Sequence, residues 1–137
     1  MPDAFIFDYA IIRVVPRVER GEFFNAGVIL FCATQEFLGA KTELDTGRLK
    51  ALAPQLDERV VEEHLATISH ICEGAGPIGQ MSRRERFHWL AAPRSTIIQV
   101  SPVHSGRCDD LEAALGRLFV AMVRRVEMED CEDEKGA

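Results

Sequence analysis

Residues 86–106 read RFHWLAAPRSTIIQVSPVHSG, and they concentrate side chains that can hold an anion. Arg94 brings a guanidinium, whose planar fork meets a carboxylate or phosphate with two parallel hydrogen bonds. Ser95 and Thr96 add hydroxyls, His104 adds an imidazole, and Gln99 and Ser101 continue the polar series. A second polar group stands earlier in the chain, where Arg17, Glu19, Arg20 and Glu22 form a turn of alternating charge just before Asn25. Brought to one end of a sheet, Arg17, Arg20 and Asn25 could join Arg94, Ser95, Thr96 and His104 in a small-anion or phosphate site. The competing explanation is an internal network of ion pairs and hydrogen bonds that fixes the loops.

Other chemistries are less well served. Gly74-Ala75-Gly76-Pro77-Ile78-Gly79 matches G-x-G-x-x-G, but a dinucleotide fingerprint follows a strand and opens a helix. Here a helical pattern precedes it and Pro77 removes a donor, so a flexible loop between helices is expected. His64, His70, His88 and His104 form no H-x-x-x-H or H-E-x-x-H, so a metal site would have to be assembled from distant segments. Ser95, Ser101, Ser105 and Cys108 lie near His104 without a nucleophile elbow. No catalytic residue, metal or cofactor is assigned, and the balance leans against an enzyme.

Composition bounds the rest. At 137 residues the chain has the length of one domain. Hydrophobic residues make up 47% and charged residues 28%, as in ordinary globular proteins. No apolar run reaches the roughly 18 residues of a membrane span. Asp3 stands where a signal peptide needs positive charge, and four dispersed cysteines without C-x-x-C fit reduced thiols, so a cytoplasmic protein is expected. The net charge is −6, of which residues 127–137 carry −5 through six acids and one lysine. The remaining −1 leaves no basic excess to attract nucleic acid. The expected division is a single domain over 1–126 and an acidic, solvated tail over 127–137.

These side chains need a scaffold, and the hydrophobic pattern describes an α+β domain. Phe5 to Val15 reads as a strand with two apolar faces, ended by Pro16. Phe23 to Ala33 and Glu36 to Leu44 follow as a second and third strand of an antiparallel meander, with Gly27 marking a bulge or a close backbone approach. Helices are expected over 45–52, from a cap at Asp57 through Val61, Leu65, Ile68 and Cys72, and from a capping box at Ser82–Glu85 to about Leu90. Ser95 to Val103 is the fourth strand, bracketed by Pro93 and Pro102 and paired beside the first. Its alternation puts Thr96, Ile98 and Val100 on the core side and Ser95, Ile97, Gln99 and Ser101 on a polar side open to solvent, ligand or partner. The last helix, capped by Asp109, carries Leu111, Leu115, Leu118, Met122 and Val126 as its apolar stripe. The sum is an antiparallel sheet of about four strands with helices mainly on one face.

Two stretches, YAIIRVVPRVERGEFFNAGVILF and RERFHWLAAPRSTIIQVSPVHSGRCDD, resemble a small bacterial family known as domain of unknown function 3037, from about Tyr9 to Phe119. In the first, the matching residues are Arg17, Glu19, Arg20, Gly21, Glu22, Asn25 and Gly27. In the second they are Arg86, Phe87, Trp89, Arg94, Ser95, Thr96, Gln99, Ser101, His104 and Gly106. The resemblance supplies no catalytic residue. It implies a setting beside a kinase resembling the HipA toxin, and so a role as that kinase's companion or regulator. The leading expectation is a non-enzymatic module that binds or regulates a protein partner. A small-anion domain built on Arg94, Ser95, Thr96 and His104 is the alternative.

Overall fold

A computed structural model describes residues 4–124 of the chain, so the expected tail over 127–137 lies outside the described residues. Strands β1 (Phe5–Val14), β2 (Phe24–Cys32) and β3 (Phe37–Thr42) form the meander. Then come helices α1 (Thr46–Leu52), α2 (Glu58–Cys72), the single turn α3 (Gly76–Gly79) and α4 (Arg83–Ala91). Strands β4 (Ile98–Val100) and β5 (His104–Cys108) and helix α5 (Leu111–Met122) complete the fold. The sheet is antiparallel, in the order β3-β2-β1-β4, with β5 also on β1. It is an α+β domain, and the segment after Pro93 pairs with β1 as its sequence suggests.

That segment is not one strand. β4 meets Ile12 to Val14 and β5 meets Phe5 to Tyr9, with the pairing offset by one residue between them. Pro102 lies at the break, where a ring without an N–H cannot continue the ladder. The alternation therefore does not run unbroken from Ser95 to Val103. Ile97 packs on the core beside Ile98 and Val100, and Ser101 is 3% exposed rather than solvent-facing.

Two apolar layers sandwich the sheet. On one face Ile12, Val14, Ile29 and Phe31 pack against Val61, Leu65, Ile68 and Ile71 of α2 and Phe87 and Leu90 of α4. Phe31 and Phe87 stack there at 5.4 Å. On the other face Phe7, Ile11, Val28 and Leu30 pack against Leu111, Ala114 and Leu115 of α5. Most of the described helices thus lie on one side, and among them α5 alone covers the reverse. A bulge divides β2. Phe24 and Ala26 belong to the same layer as Ile29 and Phe31, so the inward parity changes where the register with Ile12 and Arg13 shifts. Gly27 sits at this point because a Cβ would lie 2.6 Å from the carbonyl oxygen of Lys41.

Helix ends follow local chemistry. Asp45 and Asp57 accept the N–H groups of Arg48 and Arg59, and Ser82 and Glu85 complete the expected capping box. Asp110, not Asp109, caps α5, because its carboxylate is the one that reaches the N–H of Ala113. The buried side of α5 uses Leu111, Ala114, Leu115 and Phe119, while Met122 is exposed and Val126 lies outside the described residues. The 74–79 segment is tight rather than loose. It contains α3, and a Cβ on Gly79 would collide with the backbone of Gly74.

Candidate functional site

A predominantly apolar hollow opens on the α2 face. His64, Thr67, Ile68 and Ile71 form one wall, a stripe spaced i, i+3, i+4, i+7 along α2. Trp89 and Leu90 at the end of α4 form a second wall, and Ile98, Gln99 and Val100 of β4 form the floor. Arg94 and Thr96 stand at its mouth, and its volume is about 280 Å³. Among the described residues, Arg94 is the only permanently charged side chain in this lining.

Arg94 is held in place by the helix that precedes it. Its Nη2 donates to the carbonyl of Trp89 at 2.6 Å, and Nη1 donates to those of Leu90 and Ala92 at 3.1 and 3.4 Å. The last turn of a helix leaves its carbonyls without intrahelical partners and carries partial negative charge, so a guanidinium there satisfies both. The guanidinium carbon also lies 4.3 Å from the centre of the Trp89 ring, a cation–π distance. Trp89 thus has one face against a cation and 41% of its surface exposed.

The polar side chains threaded through 94–101 largely serve the backbone. Thr96 Oγ1 donates to the carbonyl of Ile98, and Gln99 Nε2 donates to that of Thr96, which together shape the entry to β4. Ser101 Oγ accepts the N–H of Ile11 and donates to the carbonyl of Pro102. Ser95 is exposed.

The other sequence-chosen residues lie elsewhere. His104 is the cross-strand partner of Tyr9, and their rings are 5.5 Å apart. Tyr9 packs into the α5-side layer, so His104 and Arg94 occupy opposite faces of the sheet. Arg94, Ser95, Thr96 and His104 therefore do not converge on one anion. Arg17, Arg20 and Glu22 line a separate, open hollow against Ala51 and Leu52 of α1. There Arg20 forks onto Glu22, with Nε donating to Oε1 at 2.8 Å and Nη2 to Oε2 at 3.1 Å. That hydrogen bond holds the Glu22 carboxyl below its ordinary range and raises Arg20. Glu19 is exposed in the same turn. Asn25 Nδ2 donates to the carbonyl of Met122 and so closes the end of α5.

Among the described residues, the lining of the α2 cleft holds no carboxylate, cysteine or lysine. His64, its one titratable imidazole, keeps Nδ1 2.7 Å from the carbonyl of Val60. What the arrangement offers is apolar contact beside a fixed positive charge. Sequence reasoning chose Arg94, Thr96 and Gln99 but missed the α2 wall. The signal was there in the spacing of His64 and Thr67, which extend the core stripe of that helix sideways from Ile68 and Ile71.

Among the described residues no group of three or more His, Cys, Asp or Glu side chains is placed to hold a metal ion. Nor is any described helix long and apolar enough to cross a membrane. A family model described as a protein of unknown function (DUF3037) matches residues 9–123. No match was found among curated proteins or among solved structures.

Proposed function

The chain belongs to the DUF3037 family, proteins of unknown function, and from that premise we propose that it is a non-enzymatic binding or regulatory module. In this reading it acts in the cytoplasm and docks a protein partner in the cleft between α2, α4 and β4. The partner proposed from the family resemblance is a HipA-like kinase. One observation carries the binding face. Trp89 is half-exposed in the wall of an apolar cleft and has one face against the Arg94 guanidinium. Rigid, partly exposed aromatic residues beside arginine are the groups from which binding hot spots are commonly made, because they desolvate a large area at little entropic cost.

The chain contains one tryptophan, so 5-fluorotryptophan labelling yields a single ¹⁹F resonance that reports on the cleft. Addition of a purified HipA-like kinase should shift or broaden it and should give a co-eluting complex. Thr67→Arg fills the cleft mouth from an exposed position on α2 and should abolish both effects while leaving the melting temperature near that of the parent. Co-elution with an unchanged Trp89 resonance would move the interface away from the cleft. An absence of both would remove this kinase as the partner.

A further inference from the structure

The floor of the cleft is also an unpaired edge of the sheet. Val15 donates to the carbonyl of Ile97 at 2.7 Å and Ser101 donates to that of Ile11 at 2.9 Å. With Arg13 opposite Gln99, this sets the odd-numbered residues of the segment as those that bond to β1. The backbone groups of Ile98 and Val100 consequently point away from β1, and no other described strand meets them. The Ile98 carbonyl takes the Thr96 hydroxyl at 2.8 Å. The N–H of Ile98 and both the N–H and C=O of Val100 face outward beside the apolar cleft.

We propose that this edge and cleft together receive an extended segment of a partner polypeptide, which adds as a strand beside β4 and places a carboxylate on Arg94. The inference rests on the binding-module reading and names the form of the ligand. The three outward backbone groups match the backbone of an added strand, which a folded apolar surface would not satisfy. Alternate side chains of that strand fall on the cleft side, where Trp89, Ile68 and Val100 favour apolar residues. Arg94 sets the charge. Its three bonds to the carbonyls of Trp89, Leu90 and Ala92 use three of a guanidinium's five N–H groups, which leaves two for an acidic side chain or a C-terminal carboxylate. A short edge strand with Pro102 just beyond it blunts runaway pairing and restricts the addition to a few residues.

The test uses the full chain and a displayed library of random linear twelve-residue peptides. Enriched peptides should alternate apolar residues and carry an acid, and they should shift the ¹⁹F resonance of Trp89. In the free chain the amides of Ile98 and Val100 should exchange with solvent much faster than that of Gln99, and a bound peptide should slow them. Methylating one peptide amide that faces β4 should weaken binding about tenfold. Replacing the peptide's acid by its amide should weaken it by a similar order, about tenfold.

If peptides or the kinase perturb Trp89 while methylated and unmethylated backbones bind alike, strand addition is wrong and the binding module stands. If neither library nor kinase affects Trp89, strand addition at this cleft falls, and if the kinase also fails to co-elute, the binding-module reading falls with it. If the amides of Ile98 and Val100 are already protected in a self-associated chain, the edge belongs to a second copy and the proposal is overturned.

Discussion

The Ser101 hydroxyl accepts the backbone N–H of Ile11 at 2.8 Å, across 90 residues of chain. It stands where the strand pairing steps from β4 to β5 and the ladder loses one residue of register. The side chain supplies the acceptor that a regular ladder would take from the backbone, and its own proton goes to the carbonyl of Pro102 at 2.9 Å. A serine that could serve a ligand is instead part of the sheet.

Ser101→Ala should therefore destabilise the fold by about 1–3 kcal/mol, the cost of a buried N–H left without an acceptor. Urea unfolding measures it. An unchanged midpoint would mean that water or a shifted backbone replaces the hydroxyl.

Arg86 should matter more. It is 7% exposed, and it donates to the carbonyl of Met81 through Nε and to those of Ile71 and Cys72 through Nη1. These bonds tie the end of α2 to α4, which together form two walls of the cleft. Arg86→Ala should cost roughly 3 kcal/mol or more, because several charge-assisted bonds vanish and carbonyls lose their partners. Arg86→Lys should recover only part, since an ammonium lacks the planar fork. Full recovery with lysine would show that the charge alone suffices.

Two glycines predict opposite signs. A Cβ on Gly106 would lie 2.6 Å from Cζ of Phe7, whose ring is 5% exposed in the α5-side layer. Gly106→Ala should destabilise by about 1–3 kcal/mol, as overpacking does. Gly116 lies inside α5, and the nearest atom to its Cβ is Nζ of Lys41 at 3.9 Å. Gly116→Ala should stabilise by about 0.5–1 kcal/mol through helix propensity. Thermal melts of both variants check the pair, and a destabilised Gly116→Ala would contradict the open space.

Burial pushes the Cys72 thiol up to about 12, well above the ordinary range of a cysteine. The fold prefers the neutral thiol, so this contribution is complete below about pH 9 and is lost as pH rises toward 12. The parent should lose more stability over that window than Cys72→Ala does, and native Cys72 should react slowly with iodoacetamide at pH 8. Equal alkaline loss in both chains, or fast labelling, would count against it.

Local chemistry explains what could be read from the chain alone. Alternating Phe, Ile and Val make β1, and the spacing of Val61, Leu65 and Ile68 makes the inward face of α2. Asp57 and the Ser82–Glu85 box start helices because their oxygens reach N–H groups only two or three residues away. Even Gly27 announces a bulge, since a missing side chain is a local fact with a local cause. Family membership was legible for the same reason, in two contiguous stretches of sequence.

Tertiary structure decided what depends on partners far along the chain. Alternation from Ser95 to Val103 suggested one strand with a polar face, but β1 accepts two short strands in different registers and buries Ser101 between them. Arg94 looked wholly free to fork onto an anion, yet the end of α4 supplies carbonyls that claim three of its five N–H groups. His104 lies only ten residues from Arg94 but is carried to the opposite face by its pairing with Tyr9. The cleft itself joins α2 to β4 and exists only once the helix lies over the sheet. Sequence spacing determines which residues share an element, and packing alone determines which elements share a site.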